Sequence, residues 1–213
     1  MSWDWEFALE VLPELLSAFL RVTLVVTVVG SVTAAVLGLV WAIGLRSLPP
    51  VPARALTWVL DFIRMTPLPV QLLFLYYAVP ALSPLQVGII IIGIHYSTYM
   101  AESYRAGIES IPKGQWEAAT ALSLPTARTW RAVILPQALR ATIPSLGNWA
   151  IAMFKDTPFL IFIAAPEMVS IARNIGGNTF RYVEPFTIAG LIFLAASYPT
   201  AILMRKLENR LAY

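Results

Sequence analysis

Apolar runs as long as a bilayer is thick constrain this chain more than any other feature. A transmembrane helix needs about 20 mainly apolar residues. Runs of this kind cover residues 22–45, 56–79, 84–104, 143–165 and 184–204. Only 13% of the residues are charged, against about 25% in a soluble domain. The sequence therefore predicts an all-α polytopic membrane protein with about five transmembrane helices, folded as one transmembrane domain over residues 1–213.

The basic residues between these runs are divided unevenly, which predicts an orientation. Cytoplasmic connections carry an excess of Lys and Arg. One side of the membrane would hold Arg46, Arg54, Lys113, Arg128, Arg131, Arg140, Arg205, Lys206 and Arg210. The other side would hold Arg21, Arg173 and Arg181. We therefore expect the C-terminus in the cytoplasm and the N-terminus outside.

Several charged residues lie inside the apolar runs. Charges at membrane depth are costly and usually mark function or pairing. Asp61 and Arg64 are three residues apart, and Glu102 and Arg105 repeat this spacing. Because residues at i and i+3 share a helix face, we expect two structural ion pairs.

Another charged pair, Lys155 and Asp156, stands inside the fourth run, directly before Thr157 and Pro158. Proline has no N–H to donate and interrupts a helix. A helix broken at the membrane midplane commonly exposes backbone polar groups to a transported solute. The alternative is a Lys155–Asp156 charge pair that only stabilises packing.

The connection over residues 106–142 is long and polar. Pro112 favours a helix start, and Trp116, Ala119 and Ser123 would share one face of that helix. Its alanines are small and favour a helix. This pattern is typical of a short helix that inserts into a groove on another protein. An amphipathic helix lying on the membrane surface is the alternative.

The residue pattern of this connection resembles the EAA loop of ABC-importer permeases. Glu117-Ala118-Ala119, followed by Val133 and Leu135-Pro136, occupies the spacing of that family's E-A-A, G, I-x-L-P motif. Ser123 stands where the family usually has Gly. The resemblance implies a cytoplasmic coupling loop that docks on an ATPase subunit. The implied coupling residues are Gly114, Gln115, Glu117, Ala118, Ala119, Ser123, Leu135 and Pro136.

Further motifs extend the resemblance over nearly the whole chain. Residues 64–72 read R-M-T-P-L-P-V-Q-L, and residues 135–140 read L-P-Q-A-L-R. Both stretches, and the run of residues 155–157, resemble those of polar amino-acid permeases. Together with motifs in the third apolar run, these stretches extend the resemblance over residues 15–211. The chain is thus similar to a permease subunit of a polar amino-acid ABC importer.

This resemblance implies an ABC-importer type I permease fold in a bacterial cell (inner) membrane. Such importers combine two permease chains, identical or sister, with a pair of ATPase subunits and an extracytoplasmic solute-binding protein. The chain has no Gly-rich phosphate loop, so we expect ATP on the ATPase, no cofactor here, and a transport subunit rather than an enzyme. The implied translocation path includes Tyr99, Glu102, Asn148, Lys155, Asp156 and Thr157.

The transported solute stays open at this point. A polar amino acid fits the family as a whole. Residues 155–158, together with residues 180–182 and Glu184-Pro185, also resemble permeases for ectoine-type compatible solutes. Both solutes are zwitterionic, so the expectation common to them is a small zwitterionic solute.

Two other function classes also remain. An ion-coupled secondary transporter subunit would work through Asp61 or Asp156. A membrane-embedded enzyme would need Ser97 or Ser103 beside His95, the only histidine in the chain. Neither class explains the ATPase-docking pattern. The net charge of +3 does not indicate a nucleic-acid partner.

Overall fold

A computed structural model describes residues 3–211, and its regular structure there is helical. The α-helices are α1 Trp5–Ala18, α2 Leu24–Ser47, α3 Pro50–Met65, α4 Leu68–Ala78, α5 Pro84–Glu109, α6 Lys113–Ala121, α7 Thr126–Arg128, α8 Leu135–Asp156, α9 Met168–Thr179 and α10 Val183–Leu211. A π-helical turn joins α1 to α2, another joins α7 to α8, and a 3₁₀ segment, Thr157–Ile163, follows α8. The predicted all-α class is confirmed.

The helices long and apolar enough to cross a membrane are Trp5–Ser47 and Val183–Arg210, among the described residues. Two bent pairs qualify when each pair is taken together: α3 with α4, at 101°, and Thr126–Ile163 with α9, at 48°. The 26-residue helix α5 contains the predicted run of residues 84–104 and lies at the centre of the bundle, but it is not among these candidates. This arrangement agrees with about five transmembrane helices.

The first helix begins well before the predicted span of residues 22–45. Asp4 caps it, because its Oδ1 accepts hydrogen bonds from the backbone N–H groups of Glu6 (3.0 Å) and Phe7 (3.2 Å). The π turn Phe19–Thr23 then carries the chain into α2 without ending the helix. The predicted run of residues 22–45 therefore lies within a longer helix that begins at Trp5.

Helices α2 and α5 pack closely because α2 presents a stripe of small residues. Its buried positions, spaced by four, are Val26, Gly30, Ala34, Gly38 and Ala42. A Cβ atom added at Gly38 would lie 2.9 Å from the Met100 Cβ and 3.0 Å from the Ser97 carbonyl oxygen. Small residues at this spacing let membrane helices approach backbone to backbone. The α2–α5 pair is the core of the molecule.

A separate apolar cluster joins α1, α9 and α10, and includes Leu15, Met168 and Ile188. Arg181 closes it by donating to the carboxylates of Asp4 (2.9 Å) and Glu184 (2.5 Å). Its guanidinium carbon also lies 4.4 Å from the ring centre of Phe7. The hydrogen bond from Arg181 lowers the pKa of Asp4.

Candidate functional site

Helix α6 lies in the middle of the connection between α5 and α8. Pro112 precedes its first residue, Lys113. Ala119 is buried, at 3% exposure, and Trp116 is half-buried. Glu117 is exposed, as are the three other predicted coupling residues of this helix, Gly114, Gln115 and Ala118. The helix therefore sits on the bundle through Ala119 and presents the rest of its E-A-A pattern outward.

An aromatic and cationic seat holds α6 in place. The Trp116 and Trp130 rings pack edge to face, with centroids 5.3 Å apart. The Arg46 guanidinium, at the end of α2, lies 4.9 Å from the Trp130 ring centre and 5.7 Å from that of Trp116. Cation–π contacts of this kind contribute about 0.5–1 kcal/mol at exposed sites. Sequence reasoning missed Arg46 here, because no local pattern links it to residues seventy or more positions away.

The turn after α6 explains the usual glycine at its position. Ser123 has φ 52°, in the left-handed region. The Leu124 N–H donates to the Ala119 carbonyl oxygen at 3.0 Å, which closes the turn. Glycine adopts this backbone without steric cost, whereas other residues pay about 1–2 kcal/mol. Ser123 therefore keeps the shape of the turn at some cost in strain.

The predicted connection over residues 106–142 is mostly helical. Helix α5 runs on to Glu109, and α8 already begins at Leu135. Pro136, the second residue of α8, closely follows the π turn Thr129–Ile134, at the point where the helical hydrogen-bond pattern changes. Leu135 is half-buried and Pro136 is exposed. The segment between the two long helices therefore narrows to residues 110–134.

Among the predicted path residues, Asp156 and Tyr99 lie beside one aromatic cluster. The Tyr96 hydroxyl donates to Asp156 Oδ2 at 2.6 Å. Tyr99 packs on Trp149 with ring centroids 4.7 Å apart, and His95 lies within 5.6 Å of both tyrosine rings. The cluster thus joins α5 to the end of α8. Tyr96 and Trp149 were not among the predicted site residues, since aromatic residues on an apolar helix more often belong to the core.

The other predicted path residue on α5, Glu102, belongs to a row of charges. Its carboxylate lies 3.7 Å from Arg64 and 2.7 Å from Arg105. Arg64 also pairs with Asp61, and Arg105 with Glu109 at 2.8 Å. Both expected i,i+3 pairs are confirmed. The Arg64–Glu102 contact between helices joins α3 to α5 beside Tyr99, whose hydroxyl lies 3.5 Å from the Arg64 carbonyl oxygen.

The remaining predicted path residues are scattered. Lys155 is exposed and lines a groove of about 560 Å³ against α10, away from the Tyr96–Asp156 contact. The buried Thr157 hydroxyl donates to the Phe154 carbonyl oxygen at 2.9 Å. Asn148 is exposed on α8. The helix does break after Asp156, as expected from Pro158, so Lys155 and Asp156 face different neighbours.

The residues required for an enzyme are occupied by other contacts. His95 Nδ1 lies 3.1 Å from the Gln71 amide nitrogen. The Ser97 hydroxyl donates to the Ile94 carbonyl oxygen and accepts from an indole N–H. The Ser103 hydroxyl bonds with another serine hydroxyl, at 2.7 Å, and with the indole N–H of Trp149. Nothing in this arrangement assembles a serine–histidine pair.

Comparison with known proteins identifies the family. Residues 8–213 match the family of binding-protein-dependent transport system inner membrane components. The chain is 39% identical over 215 residues to a probable amino-acid ABC transporter permease protein, y4tG, of Sinorhizobium fredii, covering 96% of this chain and 90% of that protein. It is 31% identical over 217 residues to the glutamine transport system permease protein GlnP of Escherichia coli, covering 99% of each.

A solved structure gives the same result. The chain is similar, with a TM-score of 0.91 and 30% identity, to a chain of an amino acid ABC transporter solved with histidines. The match covers 99% of this chain and 100% of that one. These relatives are transport subunits and not enzymes. The chain therefore belongs to the family of binding-protein-dependent inner-membrane transport components, as an amino-acid-type ABC importer permease.

Proposed function

We propose that this chain forms half of the translocation path of an ATP-driven importer for a small zwitterionic amino acid. Two such chains, identical or sister, enclose the path. A pair of ATPase subunits docks on the cytoplasmic side, and an extracytoplasmic solute-binding protein delivers the solute. The C-terminus lies in the cytoplasm and the N-terminus outside. ATP binds to the partner ATPases, and this chain converts their motion into alternating access.

The observation that carries the proposal is the exposed face of α6. Glu117 and Ala118 point outward, whereas Ala119 and Trp116 seat the helix on the bundle. A short helix that is firmly seated on one side and open on the other fits a groove on a partner. In this role Glu117 acts as a docking group and not as a general acid or base.

Two of the six predicted path residues, Asp156 and Tyr99, are assigned to solute binding. The Asp156 carboxylate, held by Tyr96, stands where α8 breaks into a 3₁₀ segment. A carboxylate beside a broken helix suits the ammonium group of an amino acid. Tyr99 supplies an aromatic wall for the side chain. An ectoine-type solute is the alternative occupant, and competition for uptake distinguishes the two.

The decisive experiment is affinity purification of the chain from its native membrane in mild detergent, followed by mass spectrometry of what accompanies it. The wild-type chain should carry an ABC ATPase, and Glu117→Lys should lose it together with solute uptake. Glu208→Lys is the matched control, since it reverses an exposed carboxylate on α10 away from α6.

Three outcomes would contradict the proposal. ATPase retained equally by both variants would remove the coupling role from α6. Uptake that survives ATP depletion but collapses with the proton gradient would favour an ion-driven transporter. An N-terminus that is protected from external labelling reagents in intact cells would reverse the orientation.

A further inference from the structure

The bend between α3 and α4 leaves backbone carbonyl groups without their usual partners. In a continuous helix the Ile63 carbonyl would accept from the N–H of residue 67. Residue 67 is proline and has no N–H to give. The chain turns by 101° at this point. An unpaired carbonyl inside a membrane protein is costly, so another donor is required.

The side chain of Gln71 supplies that donor. Its amide nitrogen lies 2.6 Å from the Ile63 carbonyl oxygen and 2.9 Å from the Thr66 carbonyl oxygen. An amide oxygen could not occupy this position, because it would face two other oxygens. The contacts therefore fix which end of the Gln71 amide points at the bend.

The same amide nitrogen also fixes the state of His95. It lies 3.1 Å from His95 Nδ1, on the neighbouring helix α5. An amide nitrogen only donates, and its two hydrogens are shared among the Ile63 and Thr66 carbonyl oxygens and Nδ1, so Nδ1 fits here as an acceptor without a proton. The His95 imidazole is then neutral, with its proton on Nε2. Protonation of Nδ1 would set an N–H against an N–H and break the contact.

The titratable and charged groups near His95 lie on α5, α8 and α3. Tyr96 and Tyr99 flank its ring on α5, with centroids 5.6 and 5.5 Å away. Asp156, on α8, carries the negative charge that acts on His95. Its carboxylate accepts a hydrogen bond from the Tyr96 hydroxyl. Arg64 on α3 lies next to Tyr99. His95 therefore stands between the bend and the candidate path.

We propose that Gln71 and His95 form a latch that positions the α3–α4 bend on α5 while His95 is neutral, and that releases the bend when His95 takes up a proton. The bend carries Arg64, whose contacts with Glu102 and Tyr99 lie beside the candidate path. Gln71 and His95 are positioning residues, since they act through these neighbours. The consequence for transport rests on the proposed function; the latch itself does not.

The chain is well suited to a direct test, because it contains one histidine and no cysteine. Nitrogen-15 labelling of histidine gives a single imidazole, whose two nitrogen shifts report the tautomer and the charge. In the full-length chain in nanodiscs we expect the Nε2-protonated form at neutral pH. Gln71→Met should convert it to a mixture of tautomers. An Nδ1-protonated imidazole in the wild-type chain would overturn the latch.

A distance measurement tests the position of the bend. Spin labels at Val59→Cys on α3 and Val32→Cys on α2, both exposed, should give one narrow distance in the otherwise wild-type chain. Gln71→Met should broaden it. His95→Asn should keep it narrow even in acid, because the Asn oxygen can accept where Nδ1 did but cannot be protonated there. An unchanged distribution in Gln71→Met, or acid broadening in His95→Asn, would overturn the proposal.

Transport provides the last readout. Loss of the bonds at the bend should lower uptake by Gln71→Met about tenfold. Because protonation of His95 releases the bend, wild-type uptake should decline in acid. His95→Asn should keep uptake at neutral pH and should not show this decline. A decline in acid that persists in His95→Asn would assign pH sensing to another group. The spectroscopic results need neither ATPase nor solute, so failure of the proposed function would leave them standing.

Discussion

The two helix breaks of this molecule differ in how they are covered. At the first, the α3–α4 bend, Leu60, Leu68 and Leu72 are buried, but the large apolar side chains of Phe62, Met65 and Phe74 are exposed. At the second, Thr157–Ile163 and the turn that follows, the structure buries Leu160, Ile163 and Glu167 completely. Both breaks contain proline, and both are tied to α5 by one polar side chain, Gln71 or Asp156.

The second break, which is covered by the rest of the chain, is held by more local hydrogen bonds than the first. The chain leaves the 3₁₀ segment through Ala164, at φ 53°. Glu167 then caps α9, accepting from the backbone N–H groups of Ser170 (2.5 Å) and Val169 (3.0 Å). Helices α1, α9 and α10 pack together next to it. One break is thus covered within this chain, whereas the other leaves part of its apolar surface for lipid or a second chain.

The largest expected effect comes from the buried side of the covered break. Leu160→Ala should lower the free energy of unfolding by about 2–5 kcal/mol, because it leaves a cavity in a packed core. Phe162→Ala is the matched control from the same segment, since Phe162 is 50% exposed and Leu160 is 0% exposed. Reversible unfolding in mixed micelles measures both. Equal losses would mean that the covered break is not packed as described.

The cap of α9 should contribute less. Glu167→Ala removes an acceptor for two backbone N–H groups and should cost about 1–2 kcal/mol. Glu167→Gln keeps one acceptor oxygen and should cost less. The same unfolding measurement compares them. If Glu167→Ala unfolds like the wild-type chain, local capping does not distinguish this break from the other.

The α3–α4 bend is the open break, and a substitution there should have different effects in the isolated chain and in the assembled importer. Phe62 is 71% exposed, so Phe62→Ala should change the unfolding free energy of the isolated chain by only about 0.5 kcal/mol or less. If a second chain covers this surface, the same variant should weaken the permease pair, measured by cross-linking yield. A large loss of stability in the isolated chain would show that the bend is already covered.

The smallest effect concerns the ionic contact that holds α1 over the covered side. Arg181 lowers the pKa of Asp4 in the folded chain, so the contact stabilises the fold above the unfolded pKa, about 3.9. That contribution disappears as the pH falls through the folded value. Asp4→Asn should therefore unfold more easily than wild type at neutral pH, and the difference should vanish in strong acid. Thermal unfolding at several pH values tests this.

A control separates this contact from a general effect of charge. Glu14→Gln removes an exposed carboxylate from the same helix, and it should not reproduce the change seen with Asp4→Asn. If the two variants behave alike, the Arg181 contact does not hold α1 in place.

The sequence predicted the covered break better than the open one. Pro158 beside charged residues indicated an interruption, and the structure has it there. At the open break the Asp61–Arg64 pair was predicted because helical spacing is local. The Gln71–His95 contact was not, since its partners are 24 residues apart and no spacing rule connects two different helices. Two predicted site residues that are neighbours in sequence have different surroundings. Asp156 contacts the aromatic cluster, whereas Lys155 faces α10.

The small-residue stripe of α2 has a consequence for motion. Helices that touch through side chains slide past one another by changing rotamers, but backbone contact such as that at Gly38 leaves nothing to repack. Helices α2 and α5 are therefore expected to move as one rigid body. We therefore expect any change in access across the membrane to come from rotation at the two breaks attached to α5, which would act as hinges.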